Sequence, residues 1–355
     1  MLDSSDKKVT CKTPLPSDPV KSYYGSVLQS SSDLRTTACA ASQAPPPHIK
    51  RALSKIHPEV ISRFYGCGSP IPPLLAGLTV LDLGCGTGRD CYVLSQLVGA
   101  AGHVIGVDMT DEQLAVAKRH QDWHAQQFGF ANVEFRNGQI EDLTALGVAD
   151  ASIDLVISNC VLNLTPDKAR VFAEIFRVLK PGGELYFSDV FSDRRIPAAL
   201  LQDPVLRGEC LAGALYMEDF RRMFSAHGCA DVRIMASADI AIQDAEVDAK
   251  IGFARFTSRT VRAFKLELED RCEDYGQVAT YKGGIPEQNH DFVLDDGHRM
   301  EIRKSTLVCG NTADMISGTR YAPYFTVTGD KENHFGLFAC SQPEKPNLVT
   351  DAVCC

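Results

Sequence analysis

From Thr79 onward, short runs of apolar and β-branched residues alternate with amphipathic segments. This alternation is typical of βαβ units, whose parallel strands are buried between helices on both faces of a sheet. It predicts an open α/β domain, Rossmann-like with a mostly parallel sheet, over residues 76–236. The predicted strands are Thr79–Leu83, His103–Asp108, Val133–Asn137, Ile153–Ser158 and Glu184–Asp189.

The chain before this domain mixes turn-forming residues with one predicted helix, Pro19–Asp33, and three prolines at 45–47 then break the chain. We interpret residues 1–75 as an N-terminal helical cap that carries part of the substrate site. A second substrate loop is expected near residues 190–220, after the fifth strand.

Beyond residue 236 the alternation lapses, and residues 237–340 are predicted to form a smaller α+β domain. The tail, residues 341–355, is expected to be flexible. Short strands are predicted at Gln277–Tyr281, Asp291–Leu294 and Glu301–Cys309.

The composition is that of an ordinary folded protein, with 45% hydrophobic and 23% charged residues. The net charge of -9 and the scattered lysines and arginines disfavour a nucleic-acid partner.

No apolar run approaches the ~20 residues that span a bilayer, and residues 1–20 lack the apolar core of a signal peptide. We therefore expect a cytoplasmic protein without a membrane partner. In that reducing compartment, the 13 cysteines are expected to serve thiol or metal chemistry rather than a disulfide framework.

A glycine-rich loop, with Gly84, Gly86 and Gly88, follows the first predicted strand. Glycines let the backbone turn tightly and approach a ligand at the N-terminus of the next helix. The dinucleotide fingerprint would place its third glycine at position 89, where this chain has Arg89, so the spacing disfavours NAD. Asp108 ends the second strand, where a carboxylate can accept both hydroxyl hydrogens of an adenosine ribose. Together these features favour S-adenosylmethionine, an adenosine-bearing methyl donor.

Three cysteines are predicted to lie on loops around the same cleft. Cys160 comes at the carboxyl end of the fourth strand, Cys210 follows the fifth strand, and Cys67 lies between two glycines that expose its thiol. Such a three-thiolate site would select a thiophilic metal or metalloid rather than magnesium or calcium. A single cysteine is more often a small buried hydrophobe, and this is our interpretation of Cys85, Cys91 and Cys229.

Several segments together resemble the arsenite S-adenosylmethionine methyltransferases of the algal and microbial type, which have the class I methyltransferase fold. The segments are Tyr23–Gly25 with Leu28–Ser31, His57–Val60, Tyr65–Gly68, Ile157–Leu164 and Tyr281–Gly284. Leu179–Glu184, a helix end broken by Pro and Gly before a strand, is similar to the turn that class I methyltransferases carry there. The resemblance extends from about Val20 to Phe338. It implies transfer of methyl groups to arsenite, or to its thiol conjugates, in arsenic detoxification.

The resemblance also implies the site residues. Four functional cysteines map onto Cys39, Cys67, Cys160 and Cys210, and trivalent arsenic is expected at the last three. A pair such as Cys67 and Cys160 would supply electrons and become a disulfide, which glutathione or thioredoxin would reduce. The implied cofactor contacts, beside Gly88 of the loop itself, are Tyr65, Gly84, Gly86, Arg89, Asp108, Met109, Ile140 and Glu141.

Thiolate-bound trivalent arsenic keeps a lone pair that can accept a methyl group without a general base, and because the ligands must be thiolates, activity should fall in acid. Two other interpretations stay open. One is a methyltransferase for a small organic acceptor, with Asp189 or His124 as base, and the other is a thiol-rich metalloid-binding protein without activity. We expect a monomer, and the sequence assigns no role to the terminal pair Cys354 and Cys355.

Overall fold

The computed structural model describes residues 45–64, 66, 68–201 and 203–339. Several predictions lie outside these residues: the helix Pro19–Asp33, the site residues Cys39, Tyr65 and Cys67, and the terminal pair Cys354 and Cys355.

A large mixed sheet forms the centre of the fold. Its strands are β1 (Thr79–Leu83), β2 (His103–Asp108), β3 (Val133–Asn137), β4 (Ile153–Asn159), β5 (Leu179–Ser192), β6 (Leu215–Tyr216), β7 (Arg233–Asp239) and β8 (Phe256–Phe264). The strand order is β3-β2-β1-β4-β5-β8-β7, with β6 paired to β5. The pairs among β1 to β6 are parallel, whereas β8 is antiparallel to β5 and to β7.

Helices connect and cover these strands. They are α1 (Pro47–Leu53), α2 (Pro58–Ser62), α3 (Arg89–Val98), α4 (Asp111–Arg119), α5 (Gln121–Phe128), α6 (Lys168–Val178), α7 (Pro204–Gly208), α8 (Met217–Ser225) and α9 (Ala245–Ile251), with a short 3-10 helix at Ala198–Leu200.

The sheet separates two hydrophobic cores. In β1, Val80 packs in the core that contains Val93 of α3, whereas its neighbour Leu81 packs in the core that contains Phe172 of α6. Successive side chains of a strand point to opposite faces, so an unbroken apolar run is required wherever both faces are covered. This explains why the central strands are evident as apolar runs in the sequence.

A smaller α+β unit follows β8. It comprises β9 (Glu273–Asp274), β10 (Val278–Tyr281), β11 (Asp291–Asp295), β12 (His298–Glu301), β13 (Ser305–Leu307), α10 (Gly310–Ser317), a 3-10 helix (Ala322–Tyr324), β14 (Phe325–Thr328) and β15 (Gly336–Leu337). β10 lies between β13 and β14, while β11 pairs with β12 and β9 pairs with β15.

A buried ion pair ties this unit to the central sheet. Arg262 of β8 donates to Glu184 of β5 at 2.6 Å and to the Leu294 carbonyl of β11 at 2.6 Å. Glu184 also pairs with Arg320 of the C-terminal unit. Since Arg262 and Glu184 are fully buried, each charge depends on the other for stabilisation.

The predicted α/β fold with a mostly parallel sheet is confirmed. The five predicted strands coincide with β1 to β5, although β5 begins at Leu179 and ends at Ser192, and the short strands predicted in the C-terminal unit overlap β10, β11 and β13. The sheet continues through β7 and β8, past residue 236, where the sequence placed the start of the α+β domain. The division into domains stays a prediction, and the strand pairing favours a C-terminal boundary after Phe264.

Candidate active site

A deep cleft opens at the carboxyl ends of β1, β2 and β4. It encloses about 1160 Å³, open solvent included. Ligands bind at this edge in open α/β sheets, because the loops that leave the strands converge there. The residues that line the cleft include Asp82, Gly84, Gly86, Asp90, Asp108, Met109, Gln139, Ile140, Glu141, Asn159, Cys160 and Thr165.

The loop after β1 brings backbone to the cleft wall. Gly84 and Gly86 have φ angles of +74° and +53°, in the left-handed region that favours glycine. A Cβ at Gly84 would lie 2.3 Å from the Val161 side chain. Position 84 therefore requires glycine twice, once for its backbone conformation and once for its packing.

Asp108 fixes this loop against the end of β2. Its Oδ2 accepts the Gly86 N–H at 2.8 Å, and its Oδ1 accepts the Thr110 N–H at 2.8 Å. Burial raises the pKa of Asp108, while these backbone hydrogen bonds act in the opposite direction. Asp108 thus stands as a strong, fixed hydrogen-bond acceptor at the cleft wall, as expected of a ribose-binding carboxylate.

Two further carboxyl groups, those of Asp82 and Asp90, line the cleft. Burial, and then the charge of Asp90, raises the pKa of Asp82 to about 8. Asn159 Nδ2 donates to Asp90 Oδ2 at 3.2 Å and to the Gly68 carbonyl at 3.0 Å. Asn159 Oδ1 is buried and has no hydrogen-bond partner among the described residues. A cationic ligand with N–H donors would stabilise the charged form of the carboxyl groups and would donate to the Asn159 oxygen. S-adenosylmethionine, which carries a sulfonium and an ammonium group, fits this description.

Of the predicted cofactor residues within the described chain, Gly84, Gly86, Asp108, Met109, Ile140 and Glu141 line the cleft. Gly88 and Arg89 are not among the described lining residues. A Cβ at Gly88 would lie 2.7 Å from Phe135, so this glycine serves packing. Arg89 donates to Asp90 at 2.6 Å and stacks 3.0 Å from the ring centroid of Phe64, so it can act on the cleft through Asp90.

The structure brings two predicted cysteines together. Cys160, directly after β4, lines the cleft, and the Cys210 thiol donates to the Cys160 carbonyl at 3.6 Å. Both have left-handed φ angles, +57° and +61°, which cost about 1–3 kcal/mol each in residues other than glycine. Both belong to an apolar cluster with Val190, Leu206 and Leu211. Two strained, adjacent cysteines beside a cleft are typical of a functional site.

The two sulfurs differ in redox state. Cys160 is disulfide-bonded. Cys210 carries a thiol and is fully buried. The predicted cysteine ligands Cys39 and Cys67 lie outside the described residues, so the complete ligand set stays a prediction.

The two candidate bases do not reach the cleft in the part of the chain that is described. Burial raises the pKa of Asp189 to about 7, and its carboxylate accepts the Asn163 N–H at 3.2 Å and the Asn163 side-chain amide at 2.7 Å. His124 stacks on Tyr92, with ring centroids 3.6 Å apart, and burial lowers its pKa to about 4. Both side chains are explained by their structural contacts.

Sequence reasoning missed Asn159, Asp82 and Asp90 as site residues. Asn159 and Asp82 stand at the carboxyl ends of β4 and β1, so strand ends alone could have indicated them. Asp90 lies in the first turn of α3, one residue past the predicted loop contacts. Its role depends on the contact with Asn159, 69 positions away, which no local pattern reveals.

Within the described residues, no helix is both long and apolar enough to cross a membrane.

Known proteins share both the sequence and this architecture. Residues 74–228 match a family described as a methyltransferase domain. The arsenite methyltransferase of Aquipseudomonas alcaligenes is 56% identical over 322 residues, which cover 90% of this chain and 93% of that protein. Human arsenite methyltransferase is 42% identical over 338 residues, or 94% and 89% of the two chains. The crystal structure of CrArsM, an arsenic(III) S-adenosylmethionine methyltransferase from Chlamydomonas reinhardtii, is 52% identical with a TM-score of 0.80, covering 83% of this chain and all of that one. The chain belongs to the arsenite methyltransferase family.

Proposed function

We propose that this protein transfers methyl groups from S-adenosylmethionine to trivalent arsenic held by cysteine thiolates. The observation that carries the proposal is the meeting of Cys160 and Cys210 beside the cleft. Sulfur is the ligand that thiophilic elements prefer. The relatives at 56% and 42% identity, which are named for arsenite, support the same acceptor.

S-adenosylmethionine, when bound, supplies an electrophilic methyl group on its sulfonium sulfur. Asp108 would hold the ribose hydroxyls, since both of its oxygens are already oriented by backbone N–H groups. Asp82 and Asn159 would hold the ammonium group, because one offers a buried carboxylate and the other an unpaired buried oxygen. Ile140 offers an apolar surface for the adenine ring.

The protein's contribution to the chemistry is positioning. Trivalent arsenic on thiolates keeps a lone pair, so the acceptor requires no general base, and neither Asp189 nor His124 is among the described residues that line the cleft. Holding the acceptor in line with the methyl group can supply up to about 7–11 kcal/mol of barrier reduction. The apolar residues around Cys160 and Cys210 would keep water from the reacting atoms.

Lys168 provides positive charge near the buried thiol. Burial lowers the pKa of Lys168, and the charges of Asp189 and Cys210 partly restore it. The same attraction would act on the negative charge of a Cys210 thiolate bound to arsenic. Lys168 is therefore a positioning residue for the arsenic ligand rather than a catalytic one.

The disulfide at Cys160 supports a redox cycle. Methyl transfer to the arsenic lone pair raises arsenic to the pentavalent state, and two thiolates can return it to the trivalent state by giving up two electrons and forming a disulfide. We propose that Cys67 is the partner of Cys160 and that glutathione or thioredoxin reduces the pair. Arsenic can bind Cys160 only after this reduction. The cytoplasmic location and monomeric state stay predictions.

The test is a methyl-transfer assay with radiolabelled S-adenosylmethionine, arsenite and a thiol reductant. Cys160→Ser and Cys210→Ser should each lose at least about 100-fold in rate, because a hydroxyl is a poor ligand for arsenic. Cys229→Ser is the matched control, since Cys229 is a buried thiol that belongs to a different hydrophobic cluster, the one that contains Phe172. Wild-type activity in either ligand variant would remove that cysteine from the site.

The competing functions give different outcomes in the same assay. An organic-acceptor enzyme would label a product that contains no arsenic and would tolerate both substitutions. A metalloid-binding protein without activity would bind arsenite and transfer no label. A reaction that runs without any thiol reductant through several turnovers would contradict the proposed redox cycle.

A further inference from the structure

The C-terminal unit contains a second pair of cysteines, Cys272 and Cys309, far along the chain from the arsenic ligands. Cys272 directly precedes β9, and Cys309 is the N-cap residue of α10. Both carry thiols rather than a disulfide. Neither belongs to the cleft lining or to the apolar cluster of Cys160 and Cys210.

Asn311 holds the two segments together. Its side-chain oxygen accepts the Glu269 N–H at 2.9 Å, and its amide donates to the carbonyls of Glu269 at 2.8 Å and Arg271 at 3.4 Å. The segment that ends at Cys272 is thereby fixed against the first turn of α10. In this arrangement the Cys272 thiol hydrogen-bonds to the sulfur of Cys309.

Donors and positive charge surround the Cys309 sulfur. The Thr312 N–H donates to it at 3.5 Å, the Thr312 hydroxyl lies 3.3 Å away, and the Arg233 guanidinium donates to it at 3.9 Å. Arg233 is buried, pairs with Asp231 at 2.6 Å and Asp295 at 3.0 Å, and its Nε has no partner among the described residues. The hydrogen bond from Cys272, and then those from Thr312, lower the pKa of Cys309 although burial opposes them. These contacts stabilise a thiolate.

Another pair of neighbouring thiols shows that proximity alone does not produce this effect. Cys85 and Cys91 also hydrogen-bond to each other, but they lie beside Asp82. Burial raises the pKa of both thiols, that of Cys85 to about 11. They are expected to stay protonated, so they provide an internal control for the pair in the C-terminal unit.

The pair is reachable from solvent on one side. Cys309 is fully buried, whereas Cys272 is half-buried and lines an open surface groove with Arg271, Asn311 and Phe338. A small ligand would therefore meet Cys272 first and Cys309 second.

We propose that Cys272 and Cys309 form a second arsenical-binding site, which chelates a monosubstituted trivalent arsenical through two As–S bonds. The free ligand is an arsenous acid, RAs(OH)₂. The Cys272 thiol, the Cys309 thiolate and one proton from solvent replace its two hydroxyls and release two molecules of water. Arsenic stays trivalent, so the step requires no oxidant or reductant. The choice of arsenic as the ligand rests on the proposed function, whereas the contact between the two thiols is observed independently of it.

The experiment uses phenylarsine oxide, a monosubstituted trivalent arsenical, with the reduced full-length protein and without S-adenosylmethionine. After incubation with the arsenical, a pulse of N-ethylmaleimide labels accessible thiols, and mass spectrometry quantifies the labelling of each cysteine. We expect Cys272 and Cys309 to be protected together by at least about tenfold. Cys85, Cys91 and Cys229 should show no change.

Single substitutions test whether two thiols act as one site. In Cys272→Ser, protection at Cys309 should be lost, because one As–S bond exchanges readily with added thiol. In Cys309→Ser, protection at Cys272 should be lost while α10 persists, since serine is a good N-cap residue. Protection of either cysteine that survives loss of the other would overturn the proposal.

A titration covers the case in which buried Cys309 reacts too slowly with the maleimide. The double variant Cys272→Ser/Cys309→Ser should bind one equivalent of phenylarsine oxide fewer than the wild type. An unchanged number of equivalents would overturn the proposal. Methyl transfer is measured separately, so failure here leaves the test of the proposed function unaffected.

Discussion

Replacing Asp108 by asparagine tests the cofactor site at one pair of atoms. The carboxylate accepts the Gly86 N–H with one oxygen and the Thr110 N–H with the other, each at 2.8 Å. An asparagine has a single acceptor oxygen, so its NH₂ group must face one of these N–H groups or the ribose. Burial also keeps the carboxylate away from bulk water.

The magnitude follows from the hydrogen bonds lost. A hydrogen bond to a charged group contributes about 1.5–3 kcal/mol. Loss of one such bond at the ribose should raise the Kd for S-adenosylmethionine by about 10- to 150-fold, because 1.4 kcal/mol corresponds to a factor of ten. The position of the loop changes as well, so the larger figure is the better expectation.

Isothermal titration of the full-length protein with S-adenosylmethionine measures this change. Asp142→Asn is a matched control, because the Asp142 side chain is 47% exposed and its pair with Arg170 spans 3.6 Å. The Kd of this variant should stay within about twofold of the wild type, as a surface pair contributes about 0–1 kcal/mol. Equal affinities in Asp108→Asn and wild type would refute the assignment of Asp108 to the ribose.

Three further substitutions test packing and burial. Gly84→Ala should lower the free energy of unfolding by about 1–3 kcal/mol and weaken cofactor binding, because the φ of Gly84 is +74° and the Val161 side chain lies 2.3 Å from the added Cβ. Urea denaturation measures the change in the free energy of unfolding. Glu184→Gln should cost about 3–5 kcal/mol by leaving the Arg262 charge buried without its carboxylate, and wild-type stability would contradict this. Asp189→Asn should change the pH dependence of stability. The folded protein keeps a proton on Asp189 up to about pH 7, while the unfolded chain loses it near pH 4, so wild-type stability falls as pH rises through that window. The variant should lack this slope, and parallel urea-denaturation profiles from pH 4 to 7 would contradict the assignment.

Sequence reasoning succeeded where burial imposes a pattern. The bounds of β1, β2 and β3 match their predictions. β1 and β2 are largely buried apolar runs, whereas β3 alternates apolar Val133 and Phe135 with charged Glu134 and Arg136, as a partly exposed edge strand does. β7 escaped prediction because most of its residues are half-buried. β8 escaped it because its first half is largely half-buried and polar, and the charged Arg262 stands among the buried residues of its second half. The antiparallel position of β8 between β5 and β7 is a property of the whole sheet.

The site was predictable to the extent that local backbone geometry determines it. Gly84 and Asp108 follow from spacing, because a tight turn and a strand end must stand at fixed positions. Gly88 shows the limit of that reasoning, since its φ of +81° and the contact that a Cβ would make with Phe135 already account for the glycine, and its role at the cofactor stays a prediction. The acidic group of Asp82 and Asp90 arises from a strand and a helix that meet only in the folded protein.

The central claim is that arsenic binds Cys160 and Cys210 at the carboxyl edge of the sheet. Anomalous diffraction at the arsenic absorption edge tests it most directly, with crystals of the reduced full-length protein soaked in arsenite and S-adenosylhomocysteine. The account predicts a strong anomalous peak within bonding distance of both sulfurs, Sγ of Cys160 and Sγ of Cys210, and its loss in Cys210→Ser. A main peak away from these two sulfurs, or one that persists unchanged in Cys210→Ser, would contradict the account.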